Sequence, residues 1–381
     1  MPQPRHILLN ALFLDPGASG GPETYLRGLA PALAAAHQQT RVTVVTTRSG
    51  ERALRRDGWG EFCRVRSLPC EEGQRGRRQV AEQLLLPALA RRAGADLVHS
   101  LASVAPIRPA GVAHVVTVHD VTFFKRRTFN AVTTFGMRQV VSRAARNADG
   151  LIAGAAAARD EICEVLDLRR EDFTVVHHGV ERPRPVAAAP EAEVRARYGL
   201  DGARVVLCVA SKRPHKNQEL LVRAAALLDD DVVLVLAGHP EPYDRELRAL
   251  ARELGVEARV RFADYVPDAD LEALWALAGC AAFPTRAEGF GIPVVEAMAR
   301  EVPVVASDLA VFREIAGDVP RYVDPDSPEQ AAAEISAALA ALDGDRARLQ
   351  RGRERAAGYT WAAAAAGTWT AYERALARHR S

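Results

Sequence analysis

The sequence predicts an α/β protein built from two doubly wound domains, and three observations carry that prediction. Short apolar, β-branched runs alternate along the chain with longer alanine- and leucine-rich stretches of helical period, the pattern of parallel sheets covered on both faces. The 381 residues exceed the ~250–300 at which a single core usually stops growing. The pattern breaks at Arg182-Pro-Arg-Pro-Val-Ala-Ala-Ala-Pro190, whose prolines suit neither a helix interior nor a sheet, and then restarts.

In the first half, strands are expected at His6–Leu14, Arg41–Thr47, Asp96–Ser100, His114–His119, Gly150–Ala153 and Phe173–His177. Helices are expected at Glu23–His37, Arg78–Ala93, Ala131–Ala148 and Ala155–Leu166. In the second half, strands fall at Arg204–Ala210, Val232–Ala237, Ala258–Phe262, Ala281–Phe283, Val304–Ala306 and Arg321–Val323, with helices such as Asn217–Leu228 and Tyr243–Leu254 between them. The expected division is residues 1–184, 185–360 and a tail, 361–381. In the tail, Trp369, Tyr372 and Leu376 share one helical face that either domain could cover, packing back on the N-terminal domain being one of the two arrangements.

Composition narrows the function. Fifty basic residues against 48 acidic leave no global field for nucleic acid. The five cysteines are scattered without a CxxC pair, which argues for a reducing, cytoplasmic setting without disulfides or structural zinc. From Met1 only Ile7 to Leu14 is mostly apolar before Asp15, and no later run approaches ~18 uncharged apolar residues, so neither export nor a membrane span is expected.

All the basic residues except Lys125, Lys212 and Lys216 are arginine. Two of those three lysines lie in Ser211-Lys-Arg-Pro-His-Lys-Asn217, a loop that follows a predicted strand and opens a helix. Ligands of doubly wound sheets sit at the carboxyl ends of strands, where a helix start offers free N–H groups and a positive dipole. Lys212, Arg213 and Lys216 would bring three cations to that mouth, as a departing diphosphate needs. A merely solvated basic loop is the ordinary alternative, and the scarcity of lysine weighs against it.

Further on, Pro284-Thr-Arg-Ala-Glu-Gly-Phe-Gly-Ile-Pro-Val-Val-Glu-Ala-Met298 places Glu288 and Glu296 eight apart around a glycine-bounded turn. Gly289 and Gly291 let backbone approach a ligand, and carboxylates suit sugar and ribose hydroxyls. Pro293 is expected to be the first helical residue and Glu296 to fall in the first turn, where the dipole alone would favour a carboxylate by roughly 0.3–1 kcal/mol.

This segment resembles the E-x7-E signature of retaining glycosyltransferases of the GT-B fold, especially glycosyltransferase family 4. The likeness continues through Val302-Pro-Val-Val-Ala-Ser307 and Phe312-Arg-Glu-Ile-Ala-Gly317, and upstream through Lys216-Asn217, Ala237-Gly238 and Val260-Arg-Phe-Ala-Asp-Tyr-Val266. It implies two Rossmann-like domains facing across a cleft. It implies that Glu288 and the backbone of Phe290, Gly291 and Ile292 hold a donor sugar, Glu296 the ribose and Lys216 the phosphates, with Tyr265 and Val266 near the base. Many relatives carry arginine where this chain has Ser211, and Thr285 replaces a commoner serine. Lys212 or Arg213 would then compensate.

In the first half, Gly17-Ala-Ser-Gly-Gly-Pro-Glu-Thr24 opens a helix but is not GxGxxG, and no acidic residue ends the second strand, so a dinucleotide cofactor is disfavoured. The resemblance assigns Gly20 and Gly21 to a loop approaching the donor phosphate; a plain tight turn is the alternative. Thr117-Val-His-Asp-Val-Thr-Phe-Phe124 puts His119 and Asp120 at a strand end, and resembles a family segment whose histidine lies near the reacting sugar. His99 ends another strand and is a candidate for the acceptor side, while His177 and His178 read as structural.

Acidic pairs such as Asp268-Ala-Asp270 look like caps, and no metal site is expected. Arginines crowd residues 52–92, with Arg75, Arg77 and Arg78 before Leu84, Leu85, Leu86 and Leu89. Their leucines belong in the core on the ordinary reading; the alternative is contact with an anionic or lipid-linked acceptor, or with the inner face of a membrane. The expectation is a metal-independent retaining hexosyltransferase using a UDP- or GDP-linked sugar as co-substrate and a glycan, lipid-linked or small-molecule acceptor. The alternatives are a non-catalytic nucleotide-sugar-binding protein and a sugar-nucleotide epimerase.

Overall fold

The computed structural model describes residues 3–71, 73–108, 111–125, 131–180, 186–341 and 345–380. The start of the expected junction, Arg182 to Pro185, lies outside them. The chain divides into two compact units, residues 1–181 with 359–381, and residues 182–358.

The first unit carries a seven-stranded sheet, ordered β3-β2-β1-β4-β5-β6-β7. Its strands are β1 (His6–Asn10), β2 (Arg41–Thr46), β3 (Arg64–Ser67), β4 (Leu97–Ser100), β5 (Ala113–Thr117), β6 (Gly150–Ala153) and β7 (Phe173–Val175). The second carries a six-stranded sheet, ordered β10-β9-β8-β11-β12-β13. These are β8 (Arg204–Val209), β9 (Val232–Ala237), β10 (Val260–Ala263), β11 (Ala278–Phe283), β12 (Val304–Ser307) and β13 (Arg321–Val323). Every pairing among the described strands is parallel, so the class is α/β, as the periodicity predicts. The central strands β1, β4, β5, β6 and β9 are buried at every position, which is why their sequences read as continuous apolar runs rather than alternating ones.

Some elements differ from the sequence reading. β3 went unread because it is an edge strand, Arg-Val-Arg-Ser, burying only Val65 well and facing water elsewhere. β1 ends at Asn10, four residues before Leu14, and β5 ends at Thr117, so His119 lies in the loop beyond it. The helix expected over Arg78–Ala93 spans Arg75–Arg92 with a π turn at Ala81–Leu85. Pro87, at the start of the last stretch, has no N–H for the carbonyl four residues back, and a wider turn accommodates the gap. Leu86 is buried there, but Val80, Leu84 and Leu85 are exposed, so the leucines do not all enter the core.

The C-terminal helix, Trp361–His379, belongs to the first unit. Trp361, Ala364, Ala365, Trp369, Tyr372, Ala375 and Leu376 line one face at helical spacing and share a core with Tyr25, Leu26, Leu29 and Leu33 of the helix Gly21–Ala36. Gly28 and Gly179 leave room for the Trp361 indole; a Cβ on either would run into it. In the second unit, Val206, Cys208, Leu234 and Leu236 pack against Leu220, Leu221 and Ala224 of the helix Gln218–Ala225 and against Ile335 and Leu339.

Four of the described histidines, His6, His99, His114 and His178, are buried inside the first unit. His99, a candidate for an open acceptor surface, is fully buried: one ring nitrogen lies 2.8 Å from the Tyr372 hydroxyl and the other 2.8 Å from that of Thr117. It therefore knits β4 and β5 to the C-terminal helix and lines no open face. Burial pushes the His99 imidazole down to about 3 and the His114 imidazole down to about 4, and takes His178 well below its ordinary value. Glu82, on the π turn, is buried and accepts a 2.7 Å bond from Asn10; burial pushes its carboxyl up to about 7.

Two predictions follow from this core. Trp361→Ala should lower the unfolding free energy of the first unit by about 3–5 kcal/mol in chemical denaturation, since the indole fills space that nothing else reaches. Below pH ~6.5 the unfolded chain binds protons that His99, His114 and His178 refuse in the fold, so stability falls as pH drops from there toward about 4 and 3, by about 1.4 kcal/mol per pH unit for each group. Glu82 acts oppositely, losing stability as pH rises through about 7, and Glu82→Gln should steepen the acid fall that His99→Gln makes shallower.

Candidate functional site

In each sheet the chain reverses its direction of winding once, between β1 and β4 in the first unit and between β8 and β11 in the second. Loops leaving those neighbouring strands diverge, and the crevice between their carboxyl ends is where such sheets bind ligands. Most residues singled out in the sequence lie on loops beyond strand ends.

In the second unit, the loop after β8 runs from Ser211 through a short 3₁₀ turn, Pro214–Lys216, to Asn217, which is held in the left-handed region at φ 56°. Two sets of bonds weld it to the loop after β11. The His215 carbonyl accepts from the Thr285 hydroxyl at 3.0 Å and from the Arg286 N–H at 2.8 Å. The Asn217 amide donates to the Pro284 carbonyl at 3.0 Å and the Pro325 carbonyl at 2.8 Å, adding the loop after β13. Thr285 thus supplies the hydroxyl that a serine would, with its side chain buried.

This welding brings Lys216 to Glu288. The ammonium donates to Glu288 Oε2 at 2.7 Å, and both side chains are about one-fifth exposed, at 22% and 20%. The pair is polar, partly desolvated and open to a ligand. Beyond it, Gly291 caps the helix Ile292–Ala299 at φ 97°, a conformation that favours glycine, and Phe290 is buried. At this helix start Pro293 has no N–H, and the N–H groups of Val294 and Val295 donate to the Gly291 carbonyl at 3.0 and 3.4 Å, which leaves the backbone of Gly291 and Ile292 to meet a ligand or water. Pro293 is the second helical residue rather than the first, because Ile292 already has helical geometry. Glu296 consequently lies one turn into the helix and not in its first turn.

The other cations of the loop do not join Lys216. Arg213 donates twice to Glu241 Oε1, at 2.9 and 2.6 Å, on the outer side of the loop. Lys212, expected at the mouth, is fully buried: its ammonium lies 2.7 Å from the Gly238 carbonyl and 3.1 Å from Asp264 Oδ1. Ser211, half-buried, offers its carbonyl to Gln218 at 3.0 Å. Tyr265, directly after Asp264, is 76% exposed, and Val266 is half-buried beside it.

In the first unit, Gly20 has φ 58° and ψ −134° and caps the helix Gly21–Ala36, with no atom within 4 Å of where a Cβ would stand on Gly20 or Gly21. The open backbone is shaped from behind by Glu23, which accepts the Gly17 N–H at 2.9 Å and pairs with Arg27 at 2.8 Å. His119 is half-buried after β5, its Nε2 donating to the Leu101 carbonyl at 2.8 Å beyond β4. Tyr25 packs edge-on to it at 5.2 Å between centroids and His178 at 5.6 Å. Asp120 accepts the Thr122 N–H at 2.8 Å, a turn that starts the short helix Thr122–Lys125. The sequence carries no reading of the parts played by Tyr25, Asn217 and Asp264, although Asn217 and Asp264 both lie in segments of the family likeness; His178, read as structural, is buried against the rings of Tyr25 and His119.

Among the described residues no group of three or more His, Cys, Asp or Glu side chains could hold a metal ion, and no helix is long and apolar enough to cross a membrane.

Comparison with known proteins gives two family models: Glycosyltransferase Family 4 over residues 19–184, and Glycosyl transferases group 1 over residues 191–355. Curated relatives include the D-inositol 3-phosphate glycosyltransferase of Mycolicibacterium gilvum, 32% identical over 70% of this chain and 62% of that protein. Another is an O-antigen chain mannosyltransferase of Salmonella typhimurium, 25% identical over 55% of this chain and 56% of that protein. The chain thus spans between about half and three-fifths of the curated relatives it matches. Among solved structures, Anabaena HepE in complex with UDP matches at a TM-score of 0.72 over 97% of this chain and 99% of that one, with 19% identity, a likeness of fold. One model covering the first unit and the other the second, on two parallel sheets of this order, the chain belongs to the family-4-like glycosyltransferases of the GT-B fold.

Proposed function

We propose that the protein transfers a hexose from a UDP- or GDP-linked sugar to an acceptor hydroxyl, with retention at the anomeric carbon and without a metal. The observation that carries this reading is the Lys216–Glu288 pair beside the Gly291 helix start, a cation and a carboxylate held together at the switch point of the second unit. The names of the relatives, an inositol-phosphate glycosyltransferase and a mannosyltransferase, and the UDP bound by HepE support it.

In this mechanism the diphosphate sits against the Gly291–Ile292 backbone at the helix start and draws Lys216 toward it as charge builds on the departing oxygen. Glu288, relieved of part of its ion pair, accepts sugar hydroxyls, and Glu296 accepts the ribose hydroxyls. On the first unit, taken by itself, the proposed roles are phosphate contact for the open Gly20–Gly21 backbone, sugar contact for His119 and acceptor contact for Asp120. The bond from the anomeric carbon to the phosphate oxygen breaks, and the acceptor oxygen bonds on the same face. The acceptor proton passes to the departing phosphate oxygen.

The expected result of a donor panel is glycoside formation with one nucleotide sugar, only when an acceptor is present, at a rate that a chelator leaves unchanged. Lys216→Ala and Glu288→Ala should each lower kcat by about 10²–10³. Near-normal turnover in both variants would refute the site, and an epimer formed without acceptor would replace transfer with epimerisation.

We further infer that the first unit presents its arginine-rich helix to an anionic lipid surface, where a lipid-linked acceptor would lie. Val80, Leu84 and Leu85 are exposed, Phe135 is exposed on the helix Ala131–Arg146, and the Gln79 amide reaches the Met137 sulfur at 3.8 Å, bringing the two helices together. Exposed apolar side chains beside Arg77, Arg91 and Arg92 match the chemistry of a charged headgroup layer over acyl chains. The protein should sediment with phosphatidylglycerol vesicles and not with phosphatidylcholine, and Leu84→Glu/Leu85→Glu should release it. Equal sedimentation of that variant would contradict the docking face.

A further inference from the structure

We propose that Lys212 is a positioning residue for the nucleobase: its buried ammonium locks together the loops after β8, β9 and β10, and so holds Tyr265 and Val266 where the base is read. This rests on the transferase reading above.

The side chain of Lys212 is 0% exposed although the loop that carries it lies at the surface on either side. An ammonium has three donors and no acceptor; here two of them meet oxygens at hydrogen-bond distance, and a third oxygen, from another segment, lies at ion-pair distance only. These are the Gly238 carbonyl after β9 at 2.7 Å, Asp264 after β10 at 3.1 Å, and Asp244 at the start of the helix Asp244–Glu253 at 3.9 Å. The Lys212 N–H also reaches the His239 carbonyl at 3.4 Å.

Arg248 closes the arrangement from the other side. It donates to Asp244 at 2.6 Å, lies 3.6 Å from Asp264, and stacks its guanidinium 4.1 Å over the Phe262 ring on β10. Two cations and two carboxylates thus alternate around a ring whose one member, Asp264, directly precedes Tyr265. Gly238 permits the closeness: at φ 149°, a Cβ there would collide with the Ala210 carbonyl, so the loop after β9 lies hard against that after β8.

Burying an ammonium costs several kcal/mol before pairing, and an apolar side chain of the same length would fill the space more cheaply. A charge kept there is therefore better explained by what it orients than by stability. It also accounts for the choice of cation in a chain that otherwise uses arginine: a compact point charge meets two oxygens, with a third beyond them, in a closed space that a planar fork would not fit. Lys212 and Lys216, four residues apart, divide the donor between them: Lys216 faces the diphosphate, and Lys212 faces away from it and fixes the platform for the base.

The test compares wild type, Lys212→Met and Asp264→Asn by calorimetric titration with UDP, GDP, ADP and inorganic pyrophosphate, below the unfolding temperature of each protein. Asp264 is 45% exposed, so its variant takes the negative charge from the lock at a partly exposed position and gives a second route to the test if Lys212→Met folds poorly. The expected result is that the preferred nucleotide weakens by about tenfold or more and the preference among bases shrinks, while pyrophosphate binding is unchanged. Parallel weakening of pyrophosphate would mean that the ammonium serves phosphate, and unchanged base preference in both variants would mean that it positions nothing; either result overturns the proposal. If wild type binds pyrophosphate but no nucleotide, or neither ligand, the transferase reading itself falls and takes the proposal with it.

Discussion

The Lys216–Glu288 contact joins residues 72 apart in sequence, and most of the candidate site depends on how they meet. Sequence distance is bridged by sheet topology: β8 and β11 are hydrogen-bonded neighbours, so the loops leaving their carboxyl ends start side by side. The His215 carbonyl and the Asn217 amide then convert proximity into a fixed relation. With those bonds in place, the ammonium meets the carboxylate, which stands four residues before the helix start at Ile292. Without them, each would be an ordinary surface feature.

The second unit spends its charge in two distinct ways. Around Lys216 the pair is partly exposed, so a ligand carrying negative charge can compete for the ammonium at modest cost. Around Lys212 the ammonium is fully buried and the charges of Lys212, Asp244, Arg248 and Asp264 are paired with one another. The first unit resolves its polar interior differently, by keeping histidines neutral and bonded to hydroxyls. His99 between Tyr372 and Thr117 makes the C-terminal helix part of the support for β5 and thus for the loop that carries His119.

The fold class was legible in the sequence because parallel strands buried on both faces leave uninterrupted apolar runs, as in β9, and because helices of regular period separate them. The edge strand β3 was not, since Arg64 and Arg66 face water and erase the run. In the site, Glu288, Glu296 and Lys216 stood out by motif and by the scarcity of lysine. The direction of Lys212 did not, because whether a loop cation turns outward or inward depends on Gly238 and Asp264, which arrive from other strands. Likewise His99 ended a strand in sequence just as a site residue would, and only the hydroxyl of Tyr372, 273 residues away, shows that its place is in the core. Glu296 falls just past the first turn rather than in it, because the helix begins at Ile292, one residue before the proline.

The central claim is that the loops after β8, β10 and β11 together form the donor site. Hydrogen–deuterium exchange of the intact protein, with and without the nucleoside diphosphate it prefers, tests it most directly. The account predicts slower exchange in three separate segments, Ser211 to Asn217, Asp264 to Val266 and Glu288 to Val294, with little change on the helix Arg75–Arg92 of the first unit. Protection absent from those three segments at saturating nucleotide, or confined to the first unit, would contradict it.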